Sequence, residues 1–540
     1  MQPATASTAV PGPEGGRLVA ANPPRHVLRF CGRAYPVTLP KLSDSRLHVA
    51  AVTISVHVLG QVWLHFQLSV PQILASILTC ALIDLAVTFR TTRSFVWPAS
   101  AMLTGSGVAL ILRVPTTPLD DHWTFHKWYL YAGVAAFSLA TKYVIRHRGS
   151  PIFNPSNVGL VVAFVVLGSS RAEPLDFWWA PLNRWMILTY AVILLGGMLI
   201  TGRLRLLAGA ATFWLTLAGG MALVAASGHC MTARWAFAPV CGFDFWRAIV
   251  TSPEVLIFMF FMITDPKTVP RGRVGHVAFC FLVAVVCIFL MAPQTTEFWT
   301  KVGLLGGLTA MCVMRPILER FLPAPGSADD GFAPLVRRLT PLRIGLVVAT
   351  LVVLGGGVVA AGVSARGATA PQTSDILGRE LIEVDPSTLP SITVEQGVLD
   401  WNHEIAGSGA QAIVLTLVEN LELENQALLH SDASILPAVD HGDRLDAMQQ
   451  RLTDATVSGT TVIERYEIES VNVTLIVPFG KQDGLSLGLQ SRGKVTTETY
   501  DAAANLQSRT SSPFSTTFVV RRATGGRWLN VAELPPKTRG

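Results

Sequence analysis

TSPEVLIFMFFMITDPKTVPRGR, residues 251–273, joins an apolar run directly to a basic loop. Every residue from Val255 to Ile263 is apolar, and the run stops at Thr264-Asp265-Pro266. Proline lacks the amide hydrogen a helix needs and crowds the turn before it, so a helix on this run ends near Asp265. Lys267, Arg271 and Arg273 follow, with Pro270 among them. A carboxylate at that rim reads as a cap, a marker of sidedness or part of a site. Glu254 poses a sharper question, because it lies well inside the segment just after Pro253. A charge stranded in hydrocarbon costs several kcal/mol, which makes Glu254 a candidate for binding a proton or cation. As a first-turn acid it would equally complement a helix dipole.

The same kind of run recurs along the chain. Of 540 residues, 50% are hydrophobic and only 14% charged, and the mean hydropathy is +0.44. A bilayer core of about 30 Å needs about 20 apolar residues in a helix. Eleven segments meet or approach that requirement: 47–66, 70–89, 95–113, 127–145, 153–168, 184–201, 204–226, 245–264, 274–292, 299–314 and 342–364. The short fifth segment and the Gly- and Pro-containing ones leave the count at ten or eleven. The expectation is a polytopic α-helical membrane protein whose first partner is the lipid bilayer.

Basic residues favour the cytoplasmic ends of membrane spans. They fall at Arg17–Arg46, Arg90 and Arg93, Arg146 and Arg148, Arg203 and Arg205, Lys267–Arg273, and Arg315–Arg343. Every second loop is thus basic, which places the N-terminus in the cytoplasm and the C-terminal region outside the plasma membrane. This bias accounts for the net charge of +6, so no nucleic-acid partner is required. Residues 1–46, starting MQPATASTAVPGPEGG, read as a largely disordered cytoplasmic tail with no secretory signal. Residues 317–341 read as a cytoplasmic linker before the final helix, 342–364. Cys230 and Cys241, in SGHCMTARWAFAPVCGFDFW, fall in an outer loop by the same rule. A disulfide suits that compartment; packing cysteines and a metal site shared with His229 are the alternatives.

From residue 365 the pattern changes. Apolar helical spacing in QAIVLTLVENLELENQALL and the amphipathic DHGDRLDAMQQRLTDA precede four strand-like stretches after Thr460. This order predicts an extracytoplasmic α+β domain over 365–540 and looks like the cone-shaped NTF2-like domains. Such folds serve as enzymes, binding pockets or dimerisation units, so the fold names no function. No catalytic triad, metal motif or phosphate loop stands out, leaving a structural or partner-binding module as the simplest reading.

Three stretches of the membrane region depart from plain lipid-spanning sequence: WPASAMLTGSGVALIL (97–112), SPIFNPSNVG (150–159) and the opening motif. Interrupted segments whose polar ends meet on one face point to a binding site in repeat-built membrane proteins. Asn154 can cap a helix with Pro155 at its first position. Asn154, Asn157, Thr264, Asp265 and Thr268 therefore join Glu254 as candidates for a ligand or ion site; helix caps are the bland alternative. Asp84, in ALIDLAVTFRTTR, joins them, or else pairs or snorkels near Arg90. His57 and His65 share a helix face, as packing residues or ligands, and Lys142 reads as part of a basic flank.

LTGSGVAL, FNPSNVGLV and FMITDPKTVP, in that order, resemble the RnfD/NqrB family, flavin-carrying membrane subunits of redox-driven ion pumps. A nearer likeness, carried also by DSRLHVAAVTISVHVLGQ, SGHCMTARW, TSPEV and APQTTEF, is to the RnfD-like (UnbU-type) membrane proteins beside enediyne biosynthesis genes in actinomycetes. The likeness covers roughly residues 25–316 and defines an RnfD/NqrB-like transmembrane domain over 47–316. It implies membrane transport or electron transport, and redox partner subunits in the second case. Family members with covalent FMN attach it to the Thr of a Ser-x-Ala-Thr motif in an outer loop. The matching loop here, GSSRAEPLDFWWAPLNRW (168–185), has no Thr, and Thr232 lies two segments later without the motif. Covalent flavin is not expected. Noncovalent flavin (FMN or riboflavin) would have Trp178, Trp179, Arg171 and Arg184 as stacking and charge partners, unless the tryptophans form an interfacial belt. The functions left open are export of a small molecule or ion, electron transfer, and self-resistance or assembly through the external domain.

Overall fold

The computed structural model describes residues 26–535, apart from 31–32, 65, 115–116, 118–120, 170, 178–181, 234–238, 324, 328–329, 332–339, 365–388, 402, 477–485 and 523–527. The chain from residue 45 to 363 is a bundle of helices: α1 (Ser45–Val62), α2 (Val70–Thr92), α3 (Ala99–Ile111), α4 (Trp128–Val144), α5 (Pro155–Leu167), α6 (Arg184–Arg203), α7 (Leu207–Ala226), α8 (Gly242–Val250), α9 (Pro253–Ile257), α10 (Arg273–Met291), α11 (Glu297–Leu318) and α12 (Pro341–Val363). Each of the eleven apolar segments is helical. Among the described residues, seven helical stretches are long and apolar enough to cross a membrane: Val70–Thr92, Arg184–Arg203, Leu207–Ala226, Gly242–Met262, Arg273–Met291, Glu297–Leu318 and Gly345–Val363. α3 and α5 are apolar but only 13 residues each. Pro98 and Pro155 set their starts, and at about 1.5 Å per residue each covers only about 20 Å.

Small residues set how closely the helices approach. A Cβ at Gly105 of α3 would sit 2.5 Å from the Ser76 carbonyl oxygen of α2. The Ser76 hydroxyl in turn donates to the Gly105 carbonyl at 2.7 Å. The bundle core includes Tyr131, Phe164, Phe213, Phe245 and Phe279, all fully buried. Apolar side chains such as Leu82, Leu195, Leu215 and Val353 point outward, as hydrocarbon-facing residues would.

Residues 26–38 differ from the disordered tail expected over 1–46, of which 1–25 lie outside the described residues. β1 (His26–Phe30) and β2 (Arg33–Thr38) form an antiparallel hairpin, and β2 pairs in parallel with β3 (Phe95–Val96). Tyr35 fixes it, with its ring centroid 5.3 Å from Phe89 and 6.0 Å from Phe95. The partner strand lies more than 50 residues downstream, where local composition gives no sign of it. Three further two-residue pairings tie loops together, β4 (Leu112–Arg113) with β7 (Glu173–Pro174), β5 (Arg146–His147) with β6 (Ser150–Pro151), and β8 (Cys230–Met231) with β9 (Val240–Cys241), and a single bridge joins Thr232 to Thr296.

After residue 388 the chain forms β10 (Ser391–Val394), α13 (Gln396–Trp401), α14 (Ser408–Leu429), α15 (Leu436–Val439), α16 (Asp443–Ser458), β11 (Thr460–Ile476), β12 (Ser486–Asp501), β13 (Leu506–Arg522) and β14 (Trp528–Leu534). The sheet runs β10-β11-β12-β13-β14, antiparallel except for β10, which joins β11 in parallel. Four residues carry too little periodicity to betray β10 in the sequence. Val414, Leu417 and Leu421 of α14 pack on Val471, Val473, Leu489 and Phe518 of the sheet.

This domain also buries charge. Arg444 of α16 donates to Glu424 of α14 at 3.0 and 2.5 Å and to Glu533 of β14 at 2.7 Å. Asn530 donates to Glu424 at 2.9 Å, and Asp440 is buried beside them. Burial pushes the Glu424 carboxyl up, but the Arg444 guanidinium more than reverses this and holds it below its ordinary range. Burial, then the Glu424 charge, pushes Asp440 well above the usual carboxylate range. Folded Asp440 therefore holds a proton that the unfolded chain releases, and its contribution to stability falls as pH rises past the ordinary aspartate range. Asp440→Asn is expected to raise the thermal midpoint of the full chain in detergent at neutral pH, with the gain vanishing toward acid. Glu424→Gln leaves the buried guanidinium with Glu533 as its remaining charged partner and is expected to destabilise by about 3 kcal/mol, measured in the same melts.

Candidate functional site

The residues singled out in the sequence gather at two places at opposite ends of the segment 251–273. The first is a cavity of about 440 Å³ where the start of α1, the middle of α3, the start of α5 and the stretch Ile257–Lys267 meet. Asn154, Thr264 and Asp265 line it, together with Arg46, Thr104, Gly107, Lys142 and Lys267. The polar ends of the interrupted segments thus share one face.

Its walls follow from how each helix ends. Ser252 caps α9, accepting from the Val255 amide, and Pro253 occupies the first turn. α9 continues into a π-helical turn, Phe258–Met262, where wider winding leaves carbonyls unaligned with the ordinary ladder. Asn154 Nδ2 donates to one of them, Met262 O, at 3.2 Å. The Asn154 Oδ1 caps α5, accepting from the Asn157 amide at 3.3 Å and the Ser156 hydroxyl at 2.9 Å. One amide side chain therefore ties the start of one helix to the end of another.

Beyond Met262 the TDPKT stretch is a hydrogen-bonded turn. Asp265 Oδ1 accepts from the Lys267 amide at 3.0 Å, and its carbonyl accepts from the Thr268 amide at 3.0 Å. The Thr264 hydroxyl donates to the Phe260 carbonyl, and Arg315 donates to the Lys267 carbonyl at 3.0 Å. Gly107 lets α3 approach the start of α5 beside the cavity, since a Cβ there would lie 3.2 Å from Ser156 Oγ.

The other expected residues support the cavity without lining it. Asn157 is buried and donates to the Leu305 carbonyl at 2.9 Å and Thr309 Oγ1 at 2.8 Å, joining α5 to α11. Thr268 is buried within the turn, its hydroxyl on the Asp265 carbonyl at 3.3 Å. Asp84 pairs with Lys142 at 3.2 Å and accepts from the Tyr143 hydroxyl, so it orients a cavity cation and does not face the cavity itself. Lys142, read as a basic flank, is part of the wall. His57 is buried with Nε2 3.3 Å from Ser106 Oγ, and His65 lies outside the described residues.

Glu254 belongs to the second place, at the opposite end, where the C-terminal domain meets the bundle. Lys301 Nζ, on α11, lies 2.7 Å from Glu297, 3.7 Å from Glu254 and 4.0 Å from Asp176. It also donates to the Leu175 carbonyl and sits 4.7 Å from the centroid of the Phe177 ring. Glu297 accepts from the Phe177 amide at 3.0 Å. Arg113 continues the network, 3.1 Å from Asp176, 3.1 Å from Asp443 of α16 and 3.8 Å from Glu173. Gln67 donates to Asp443 at 3.1 Å. Lys301, Glu297 and Arg113 are each more than 90% buried.

Sequence reading missed most of this network. Lys301 stands inside an expected span, four residues after Glu297, and the rule that drew attention to Glu254 applies to it equally. Glu173 and Asp176 lie in the loop that was read for its missing Thr. The aromatic and cationic platform is not assembled as expected: Trp178 and Trp179 lie outside the described residues, Arg171 is exposed, and Arg184 stacks 5.0 Å from the centroid of the Trp185 ring. Trp185 stacks in turn on Trp63, with centroids 4.1 Å apart. Cys230 and Cys241 are joined in a disulfide, and His229 lies against the Phe245 ring at 4.4 Å.

Fold and sites together define a class: a mostly helical protein with, among the described residues, seven helices suited to crossing a membrane, and a C-terminal sheet domain. No family model matches the chain, and no curated protein matches it either. Asn154→Ala removes a helix cap and the bond to Met262 together. It is expected to cost about 1–2 kcal/mol, measured as a lower thermal midpoint of the detergent-purified chain.

Proposed function

We propose that this is a multi-pass protein of the plasma membrane that moves a small molecule or ion on an RnfD-like scaffold, in the export step of enediyne-type natural-product biosynthesis. The cavity carries this reading. It lies where the TG, NPSN and TDP segments converge, the three motifs on which the resemblance to the RnfD/NqrB family rests. Its volume falls within the roughly 300–1,000 Å³ of small-molecule sites. Arg46 and Lys142 reach its rim already paired with Asp44 and Asp84, and Lys267 stands with Asp265, so the rim is polar and nearly balanced in charge around a largely apolar wall, which favours an amphipathic guest. The basic loops at the same end support a cytoplasmic position for the cavity and the N-terminus, with the C-terminal domain outside. The order of helices before a curved sheet supports an NTF2-like reading of that domain.

Electron transfer through a noncovalent flavin is the second reading, favoured by the same volume and amphipathic lining. Visible absorption of the purified protein separates the two. A colourless, folded chain is expected; flavin absorbance near one per chain would replace transport by electron transfer and bring redox partner subunits with it. In a producing cell, Thr104→Trp fills the cavity and is expected to lower the secreted product as far as deletion of the gene does. Unchanged secretion would remove the cavity from the pathway.

A further inference from the structure

The Lys301 cluster holds more carboxylates than its cations can serve, and one of them lacks any hydrogen bond. Lys301 is shared among Glu297, Glu254 and Asp176. Arg113 is shared among Asp176, Asp443 and Glu173. Arg521 of β13 adds a third cation on the Asp176 side. Five carboxylates thus face three cations. Glu297 takes an amide and the closest approach of Lys301, Asp176 takes Arg113, and Asp443 takes Arg113 and Gln67. Both Glu254 oxygens are sealed from solvent without a hydrogen-bond partner among the described residues. The other polar neighbour on that side, Tyr190 of α6, spends its hydroxyl on the Thr251 carbonyl at 2.7 Å.

We propose that Glu254 is an exchangeable proton site of the helix bundle, with Lys301 as the cation that answers its ionisation. An unpaired buried carboxylate costs far more than a buried carboxylic acid, so the acid is the resting form. In that form Lys301 stays on Glu297, the Leu175 carbonyl and the Phe177 face. When Glu254 releases its proton to water entering beside the partly exposed Asp443, the carboxylate left behind draws Lys301 across the 3.7 Å between them. The movement loosens Lys301 from Glu297 and pulls on α9, whose next turn, Ile257 to Phe261, walls the cavity. The proton site stands whatever the cavity holds; only its effect on the cavity rests on the transport reading.

Infrared spectroscopy of the full chain in detergent tests the site without reference to any transported molecule. Asp440→Asn serves as the background, because Asp440 supplies a protonated carboxyl of its own. At pH 7 this protein should show a carboxylic-acid C=O band that shifts in D2O and rises and falls reversibly with pH. Adding Glu254→Gln, of nearly the same shape, should abolish the band, whereas Glu297→Gln should retain it. Glu254→Asp, with a shorter acid, should move the band without abolishing it, and serves if the Gln variant does not fold. A missing band, a band that survives Glu254→Gln or does not respond to Glu254→Asp, or a band that does not exchange in D2O overturns the proposal.

Discussion

A helix that breaks inside an apolar layer leaves backbone carbonyls and amides with no water to take them, and the bond from Asn154 to the Met262 carbonyl answers that constraint. Polar backbone left unpaired in hydrocarbon costs several kcal/mol per group, so irregular winding survives there only where another element supplies partners. α5 starts where the Phe258–Met262 turn finishes, and Ser156 and Pro155 fix the angle at which it does so. The cavity is the space left over when two such interruptions face each other across α3. Gly107 lets α3 pack closely against Ser156 at its edge.

At the other end of the same segment the constraint is charge. Lys301 and Arg113 are each surrounded by acids drawn from separate pieces of chain, including one from the C-terminal domain. Removing a single member strands the others, which is the expensive way to disturb a buried pair. The network therefore couples three parts of the molecule: the loop after α5, the start of α11 and the start of α16. Pro253 and Ser252 place Glu254 at the first turn of α9, so that helix has its polar groups at both ends and an apolar middle.

Much of this was legible in the sequence because hydropathy and proline are local signals. The eleven helical segments and the breaks at Pro98, Pro155 and Pro253 follow from residues within a few positions of one another, and the convergence of Asn154 with Thr264 and Asp265 follows from the pairing of two interrupted segments with polar ends on one face. What stayed hidden depends on long-range pairing. Arg113 meets Asp443 across 330 residues, β2 finds β3 across α1 and α2, and β10 has only four residues to advertise itself. Lys301 was different: its signal was local, but it lay near the end of a segment where a cation passes for a flank. Trp178 and Trp179 stand out in the sequence as aromatics in a loop, while the acids before them, Glu173 and Asp176, are the side chains the network uses.

The contact at Gly105 has a genealogical consequence. With a Cβ position only 2.5 Å from the Ser76 carbonyl oxygen, no side chain fits unless α2 moves, and moving α2 would also part its contacts with α4. A drifting lineage can exchange almost any lipid-facing Leu or Val for another, but it cannot drift at this position alone. Among distant sequences, a glycine at position 105 paired with a small residue at 76 would therefore outlast general similarity as a mark of common descent.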